Sequence, residues 1–229
     1  PVTRADITSN NILISGITEV SPYPILSEEI KDTGERLSSE FFWILDPLDG
    51  TKEFIKKNGE FSVMVGLVKN NTPVFGLSYE PVSKKCYYAQ KGVGTFLAQP
   101  GNVVQKLHVS NTTNIAEMIS IGSRSHAEST HITKKLHVKK HLISGGVGIK
   151  ISKIAEKKAD IYYNTNGYTS IWDTCAPQCI LEAAGGKMTD IFGNNLVYNT
   201  ENVKNDRGVL ATNNRSHKEI VAQLTKTAL

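Results

Sequence analysis

Two aspartates three residues apart follow a run of apolar residues, and these side chains are well suited to binding a cation. Residues 41–45 read FFWIL, and residues 46–51 then read DPLDGT. The apolar run predicts a strand that is buried on both faces and that delivers both carboxylates into a tight turn, where proline fixes the backbone. Oxygen ligands suit Mg²⁺, which commonly works beside a substrate phosphate.

The residues that follow this turn favour a phosphate, although a purely structural interpretation stays open. Gly50 and Thr51 open a short segment, 52–56, for which we predict a helical turn. The free N–H groups at the start of a helix favour a negative charge. Asp-Pro and Asp-Gly are also common turn formers, and an aspartate often caps a helix. The motif alone therefore leaves a metal site and a plain turn as alternatives.

Two further acidic segments favour the metal site. Ser27, Glu28 and Glu29 supply adjacent carboxylates after a short apolar run, and Trp172 and Asp173 precede a helix of small residues. Each segment has an ordinary interpretation, because paired surface glutamates are usually solvated and an aspartate at a helix start is usually an N-cap. Their combination with the DPLDGT turn is what indicates a joint site.

The remaining sequence predicts the elements that must position these side chains. The apolar spacing predicts a helix over 7–19, and residues 61–98 predict an antiparallel meander. The second half alternates strands and helices, which is typical of an α/β arrangement. Its predicted strands are 118–122, 140–144, 159–163, 187–190 and 208–211, and its predicted helices are 128–136, 148–157, 173–184 and 216–225. The turn-rich residues 99–102 divide the chain into two halves, 1–100 and 101–229.

Composition narrows the classes of protein. The 229 residues are 39% apolar and 21% charged, which predicts an ordered globular chain. The net charge of +4 is scattered, which argues against nucleic-acid binding, and no apolar run is long enough to predict a membrane span. The odd count of 3 cysteines fits a reducing cytoplasm. The chain begins Pro1-Val2-Thr3, without Met or a signal peptide, so we expect that its start is cut.

The three acidic segments together resemble the inositol monophosphatase superfamily, whose members are Mg²⁺-dependent, lithium-sensitive phosphatases. WILDPLDGT at 43–51 matches the first family motif, and WD at 172–173, running into LEAAGG at 181–186, matches the second. KEFIKKNGEFSV at 52–63 and SRSH at 123–126 are similar to the CysQ-type 3'(2'),5'-bisphosphate nucleotidases. The resemblance implies a layered α+β and α/β sandwich, with an antiparallel meander half followed by an α/β half and the metals at their junction.

The resemblance also implies a set of metal ligands. Glu28, Asp46 and the carbonyl oxygen of Leu48 would bind a first Mg²⁺, and Asp46, Asp49 and Asp173 a second. Glu28 with waters would hold a weaker third ion. A water activated at the first ion would attack phosphorus, and the second ion would stabilise the leaving oxygen.

Further residues acquire roles in the same way. Thr51 would orient the attacking water, Asp6 would polarise that threonine, and Gly50 and Thr51 would contact the phosphate. The residues implied to line the substrate pocket are Glu28, Leu48, Asp49, Gly50, Thr51, Ser123, Arg124, His126, Lys150 and Asp173.

The implied activity is removal of the 3'-phosphate from adenosine 3',5'-bisphosphate, as in sulfur assimilation or nucleotide recycling. The alternatives are an inositol or other sugar-phosphate phosphatase, a metal-free glycosidase with paired carboxylates, and a nucleotide-binding regulatory protein without catalysis. The partner is then a small phosphorylated nucleotide and not a nucleic acid. We expect a cytoplasmic protein, and the resemblance leaves a homodimer and a peripheral contact with the inner face of the membrane open.

Some features depart from the family pattern or carry less weight. Cys175 and Pro177 replace the small residues common after Trp-Asp, Ile171 stands where a polar residue is frequent, and the family's N-terminal helical segment is missing. GGVGIK at 145–150 lacks the spacing of a nucleotide-binding loop and predicts a glycine turn into a helix. Cys175 and Cys179 share a helix face but have no partners for a zinc site, so buried thiols are favoured.

Overall fold

Two β-sheets organise the chain, and they follow one another in sequence. The computed structural model describes residues 1–124, 136–165 and 167–225. The first sheet has the strand order β1-β2-β3-β4-β5-β6-β7, in which β1 runs parallel to β2 and every later pair is antiparallel. Its strands are Ile25–Ser27, Phe41–Asp49, Ser62–Lys69, Thr72–Glu80, Lys85–Gln90, Gly94–Ala98 and Gln105–Leu107.

The second sheet is mixed and has the order β11-β12-β10-β8-β9. Its central strand β10 runs parallel to β8 and antiparallel to β12. The strands β8 to β12 are Ile119–Ser123, Lys140–Ser144, Ile161–Asn164, Lys187–Thr189 and Val209–Thr212. The parallel pairs at one side of this sheet come from the alternation of strand and helix that the sequence predicts.

Helices lie on the sheets and build the main core. The helices α1 to α5 are Arg4–Val20, Thr51–Ile55, Val147–Ala155, Ile171–Ala183 and His217–Thr225, and short 3₁₀ helices cover Glu35–Ser38 and Ile115–Glu117. The central helix is α4, whose Cys175, Ile180 and Leu181 are buried in one apolar cluster with Phe42 of the first sheet and Val209 of the second. Removing this apolar surface from water is the main favourable contribution to the fold.

The predicted fold class and the predicted meander are confirmed. The predicted helix over 7–19 is α1, and the strands and helices after residue 136 lie within two residues of their predicted bounds. The predicted helix 128–136 falls almost wholly outside the described residues. The first sheet takes in the strand Gln105–Leu107, beyond the predicted boundary at residue 100. The division into two halves stays a prediction.

The DPLDGT segment lies where the pairing of β2 becomes irregular. Asp46 pairs with Met64 and Asp49 with Ser62, so the register shifts between the two aspartates. Pro47 has no N–H to donate, and prolines within sheets are found at such irregular positions. The Asp46 carboxylate accepts the Leu48 N–H at 3.0 Å and closes the bulge. The irregularity turns both carboxylates toward the α3 and α4 helices.

A buried histidine beside the second sheet is placed where its protonation would oppose folding. His217 is 7% exposed and lies between two threonines, with Nε2 and Nδ1 each 2.9 Å from the Oγ1 of Thr189 and Thr212. Thr189 donates its own proton to the Asp190 carbonyl, so it accepts from Nε2, and Nδ1 stays an acceptor for Thr212. Burial, with a smaller contribution from Lys187, lowers the pKa of His217 to about 4.

We expect a loss of stability in acid that depends on His217. The folded-state pKa lies below the usual value near 6.5, so the unfolded chain binds more protons between those values. The contribution is complete above about pH 6.5 and is lost as the pH falls toward 4. Melting curves between pH 7 and pH 4.5 should show a steeper fall in Tm for the wild type than for His217→Gln. The exposed His108→Gln is the control and should follow the wild type. Parallel curves for His217→Gln and the wild type would contradict this interpretation.

Candidate metal and phosphate site

Three carboxylates, two from the end of a strand and one from the start of a helix, lie close together. Asp46 and Asp49 come from the end of β2, and Asp173 comes from the first turn of α4. One oxygen from each lies within 4.8 Å of the others. Asp173 is fixed there because its Oδ2 accepts the Ser170 N–H at 2.6 Å, in a capping box at the start of α4. Local helix capping therefore helps to bring the three carboxylates together.

Burial, and after it mutual repulsion, raises the pKa values of the acidic side chains at this site. The pKa of Asp46 lies well above its usual value, because burial removes the carboxylate from water and the charges of Asp49 and Glu28 oppose it. Burial and then the charge of Asp49 raise the pKa of Asp173 to about 8. Burial, and then the charges of Glu29 and Asp49, raise the pKa of Glu28 to about 7. An oxygen-only cluster with such repulsion suits a small divalent cation.

Asp49 is held by the start of α3. Its Oδ1 accepts the Val147 N–H at 2.9 Å, and its Oδ2 accepts the Gly148 N–H at 2.7 Å and the Ser62 hydroxyl at 3.1 Å. The side chain is 5% exposed. The N–H groups at a helix start have no partner within the helix, and a carboxylate satisfies them. The carboxylate therefore has one orientation, set by a distant part of the sequence.

Thr51 and Asp6 form the pair that the resemblance implies. The Thr51 hydroxyl lies 3.1 Å from Asp6 Oδ1 and 3.3 Å from the Leu48 carbonyl oxygen. The second oxygen of Asp6 accepts both the N–H and the hydroxyl of Thr3 at 2.6 Å, in the capping box of α1. The cap of one helix thus orients the acceptor for the first residue of another. A hydroxyl that donates its hydrogen to a carboxylate keeps its lone pairs available to accept a hydrogen bond from a water.

A cavity of about 290 Å³ opens over these groups. Its wall takes in the carboxylates of Glu28, Asp49 and Asp173, the start of α2 and the glycine turn before α3, whereas Asp46 and the predicted pocket residue Leu48 lie outside the lining. The residues around it are Pro1, Glu28, Asp49, Gly50, Thr51, Lys52, Glu53, Ser123, Gly145, Gly146, Val147, Lys150, Tyr162, Asn164, Tyr168, Thr169 and Asp173. This size and polarity suit a small anionic molecule whose orientation is fixed by a few polar contacts.

Comparison with known proteins identifies the family. The sequence profile of the inositol monophosphatase family matches residues 1–229. The chain belongs to this family. It is 36% identical over 201 residues to the 3'(2'),5'-bisphosphate nucleotidase CysQ of Salmonella typhimurium, covering 86% of this chain and 79% of that protein.

Solved structures agree with this membership of the inositol monophosphatase family. CysQ from Bacteroides thetaiotaomicron superposes with a TM-score of 0.78 at 35% identity, covering 90% of this chain and 82% of that one. The suhB protein from Bartonella henselae superposes with a TM-score of 0.83 at 22% identity, covering 99% and 86%, which shows a shared fold. No helix in the described part of the chain combines the length and apolar character needed to cross a bilayer.

Of the remaining predicted site residues, some lie at the cavity and others do not. Ser123 lines the cavity, and Lys150 is buried beside it, donating to the Gly145 carbonyl at 2.5 Å. Arg124 is absent from the lining residues and pairs with Glu60. His126 lies outside the described residues. The direct roles of these residues toward a substrate stay predictions.

Sequence reasoning missed an aromatic side of the cavity. Tyr162, Asn164 and Tyr168 come from β10 and the loop after it, and all three line the cavity. Lys150 lies under this side, with its ammonium 5.2 Å from the centre of the Tyr162 ring. The available signal was the position of these residues shortly before Asp173, since a loop that enters a site helix often lines the site.

Proposed function

We propose that this chain is a Mg²⁺-dependent phosphatase that removes the 3'-phosphate of adenosine 3',5'-bisphosphate. The observation that carries the proposal is the cluster of Asp46, Asp49 and Asp173, two of them buried and the third half-buried. It lies beside a cavity that is also lined by Thr51, whose hydroxyl donates to Asp6. The substrate is supported by relatives named 3'(2'),5'-bisphosphate nucleotidase, at 36% identity over 86% of the chain for one of them. Hydrolysis of inositol or another sugar phosphate is the competing function within the family.

The donor set fits a divalent cation. The three aspartates offer oxygen ligands only, and their mutual repulsion is relieved by a positive charge among them. Asp46, Asp49 and Asp173 would hold Mg²⁺, and Glu28 and the Leu48 carbonyl oxygen lie at the same end of β2 for further ligation. When bound, Mg²⁺ supplies Lewis-acid activation and stabilises developing charge. The groups present therefore suit this cofactor.

The chain's own residues then orient the reactants. Thr51 donates to Asp6, so a lone pair of its hydroxyl can accept a hydrogen bond from a water and aim that water at phosphorus. Burial lowers the pKa of Lys150, and the charges of Asp49 and Asp173 oppose this effect by favouring its charged form. In that form the ammonium balances part of the negative charge of the site. Holding the water and the phosphate in one arrangement lowers the barrier by removing the entropy cost of bringing them together.

The aromatic side of the cavity favours a substrate that carries a nucleobase. Tyr168 is 61% exposed and lines the cavity, so its ring can offer a face for stacking. Stacking of a base on an aromatic ring is worth about 1–3 kcal/mol, or roughly 5- to 150-fold. We expect Tyr168→Ala to lower kcat/KM on adenosine 3',5'-bisphosphate within that range and to leave kcat/KM on inositol 1-phosphate unchanged.

Two controls accompany this prediction. Tyr168→Phe keeps the ring and should retain wild-type kcat/KM on both substrates. Tyr79→Ala, at a 37% exposed tyrosine away from this cavity, should also have no effect. Equal losses on both substrates for Tyr168→Ala would show that the ring supports the cavity wall and contacts no base.

The experiment that tests the proposed function is a direct comparison of substrates. Phosphate release is measured with Mg²⁺ on adenosine 3',5'-bisphosphate, inositol 1-phosphate and fructose 1,6-bisphosphate, and repeated with Li⁺ and with excess EDTA. We expect the highest kcat/KM on the nucleotide and loss of activity with EDTA. A higher kcat/KM on inositol 1-phosphate would favour the competing function, and full activity in EDTA would reject a metal-dependent reaction.

A further inference from the structure

Glu60 joins the loop before β3 to the glycine turn before α3. Its carbonyl oxygen accepts the Gly146 N–H at 3.1 Å, and its carboxylate accepts the N–H of Gly145. The two main chains meet so closely that a Cβ at Gly145 would lie 2.1 Å from the Glu60 carbonyl oxygen. A side chain at that position would push the segments apart, so the contact depends on glycine.

Arg124 closes this arrangement from a third segment, the end of β8. Its Nε lies 2.8 Å from Glu60 Oε2 and its terminal nitrogen 2.9 Å from Oε1, which is the two-pronged geometry that guanidinium and carboxylate groups favour. The Arg124 N–H donates to the Ser144 carbonyl at 2.8 Å. Glu60, Arg124 and the turn 144–146 therefore form a closed ring of contacts.

The turn leads directly to the site. Val147 and Gly148 follow it, and their N–H groups are the ones that hold the two oxygens of Asp49. A Cβ at Gly146 would lie 2.2 Å from Asp49 Oδ2, so a small shift of the turn changes the position of that carboxylate. The turn therefore connects the contacts of Glu60 and Arg124 to the Asp49 carboxylate.

We propose that Glu60 and Arg124 are positioning residues: their ion pair fixes the 144–148 turn, and through it Asp49 and one wall of the cavity. Arg124 then acts through the turn and does not bind the substrate. The kinetic consequence rests on the proposed function, whereas the effect on the turn does not.

The proposed positioning role differs from a general contribution of the ion pair to the stability of the protein. The two side chains are 44% and 23% exposed, and pairs at such exposure contribute little to the free energy of unfolding. We therefore expect Tm to change little in Glu60→Ala and Arg124→Ala, while the turn itself becomes looser. This separates positioning from general stabilisation.

Hydrogen exchange in the metal-free and substrate-free protein tests the turn directly. In Glu60→Ala and in Arg124→Ala, amides of residues 144–150 should exchange about tenfold faster than in the wild type, as expected when local opening becomes easier. Glu60→Gln keeps an acceptor for Gly145 and should show a smaller increase. Glu40→Ala, which breaks the exposed pair with Lys69, is the matched control and should leave these amides unchanged.

Kinetics distinguish positioning from substrate binding. Both alanine variants should lower kcat/KM by a similar factor of about ten, and the Glu60→Ala/Arg124→Ala double variant should be no worse than the poorer single variant, because the pair acts as a unit. The Mg²⁺ concentration for half-maximal activity should rise in both.

Two results would overturn the proposal. One is unchanged exchange of residues 144–150 in both alanine variants. The other is a rise in KM for the bisphosphate nucleotide in Arg124→Ala alone, with Glu60→Ala unaffected, because a guanidinium freed from Glu60 would then be the substrate ligand. Failure of the wild type to hydrolyse the nucleotide would reject the proposed function, and the exchange result would still decide the role of the pair.

Discussion

Asp46→Asn should lower kcat/KM by about 10²–10³-fold while the protein stays folded, since a single electrostatic group at a transition state is commonly worth this much. The amide has the shape of the carboxylate, and its oxygen can still accept the Leu48 N–H that closes the bulge. Only the negative charge and one cation ligand are lost. Asp49→Asn should lose activity to a similar extent.

The same substitution should stabilise the metal-free protein. Asp46 is buried close to Asp49 and Asp173, and their repulsion opposes folding when no cation is present. In EDTA at pH 7 the Tm of Asp46→Asn should therefore exceed that of the wild type. For a chain of this size each kcal/mol gained raises Tm by about 2–4 °C. With saturating Mg²⁺ the order should reverse, because the wild type gains the binding free energy.

Asp160→Asn is the matched control, at a buried aspartate outside the site. Asp160 accepts the Ile119 N–H at 2.8 Å and the Ser110 hydroxyl. We expect a lower Tm and a normal kcat for the folded fraction, which is the opposite pattern. Near-normal turnover of Asp46→Asn with Mg²⁺, or a lower Tm in EDTA, would contradict the metal site.

Gly146→Ala should lower kcat/KM by about 10²-fold, because a 1 Å misplacement at a site can cost this much. The backbone at Gly146 has φ −52°, which alanine adopts without strain. The obstacle is contact, since the new Cβ would lie 2.2 Å from Asp49 Oδ2 and 2.6 Å from its Cγ. Asp49 would have to leave its place under α3.

Gly16→Ala provides the comparison for Gly146→Ala. Gly16 lies inside α1 and has no atom within 4 Å of an added Cβ, so the substitution should raise stability by about 0.5–1 kcal/mol and leave kcat/KM unchanged. Steady-state kinetics and thermal unfolding of the two variants test both statements. A Gly146→Ala protein with activity within twofold of the wild type would mean that the N-terminus of α3 does not position Asp49.

The sequence predicted the elements well where local patterns are strong. The apolar run before Asp46 predicted β2, because Phe42, Ile44 and Leu45 are buried there. The spacing in 7–19 predicted α1, although the buried residues of that helix are Asp6 and Asn10 and its Ile7 and Ile12 are exposed. The bulge at Pro47 could not be predicted, since it depends on how β2 pairs with β3. Likewise, no local signal indicates that α4 lies in one core with both sheets.

The sequence predicted the carboxylates of the candidate site but not the contacts that hold them in place. Asp46, Asp49 and Asp173 were grouped by motif, and the structure brings them within 4.8 Å. The contacts that hold Asp49 span 98 and 99 residues of sequence, and the pair of Glu60 with Arg124 spans 64. Such long-range contacts follow from the tertiary fold, so local periodicity contains no information about them.

The most direct test of the proposed reaction is ³¹P NMR of adenosine 3',5'-bisphosphate incubated with the wild type and Mg²⁺. We predict loss of the 3'-phosphate resonance and growth of inorganic phosphate, with the 5'-phosphate resonance kept as AMP. The Asp46→Asn protein and the wild type in EDTA should leave the spectrum unchanged. Loss of the 5'-phosphate first, or release of phosphate at the same rate in EDTA, would contradict a metal-dependent 3'-phosphatase.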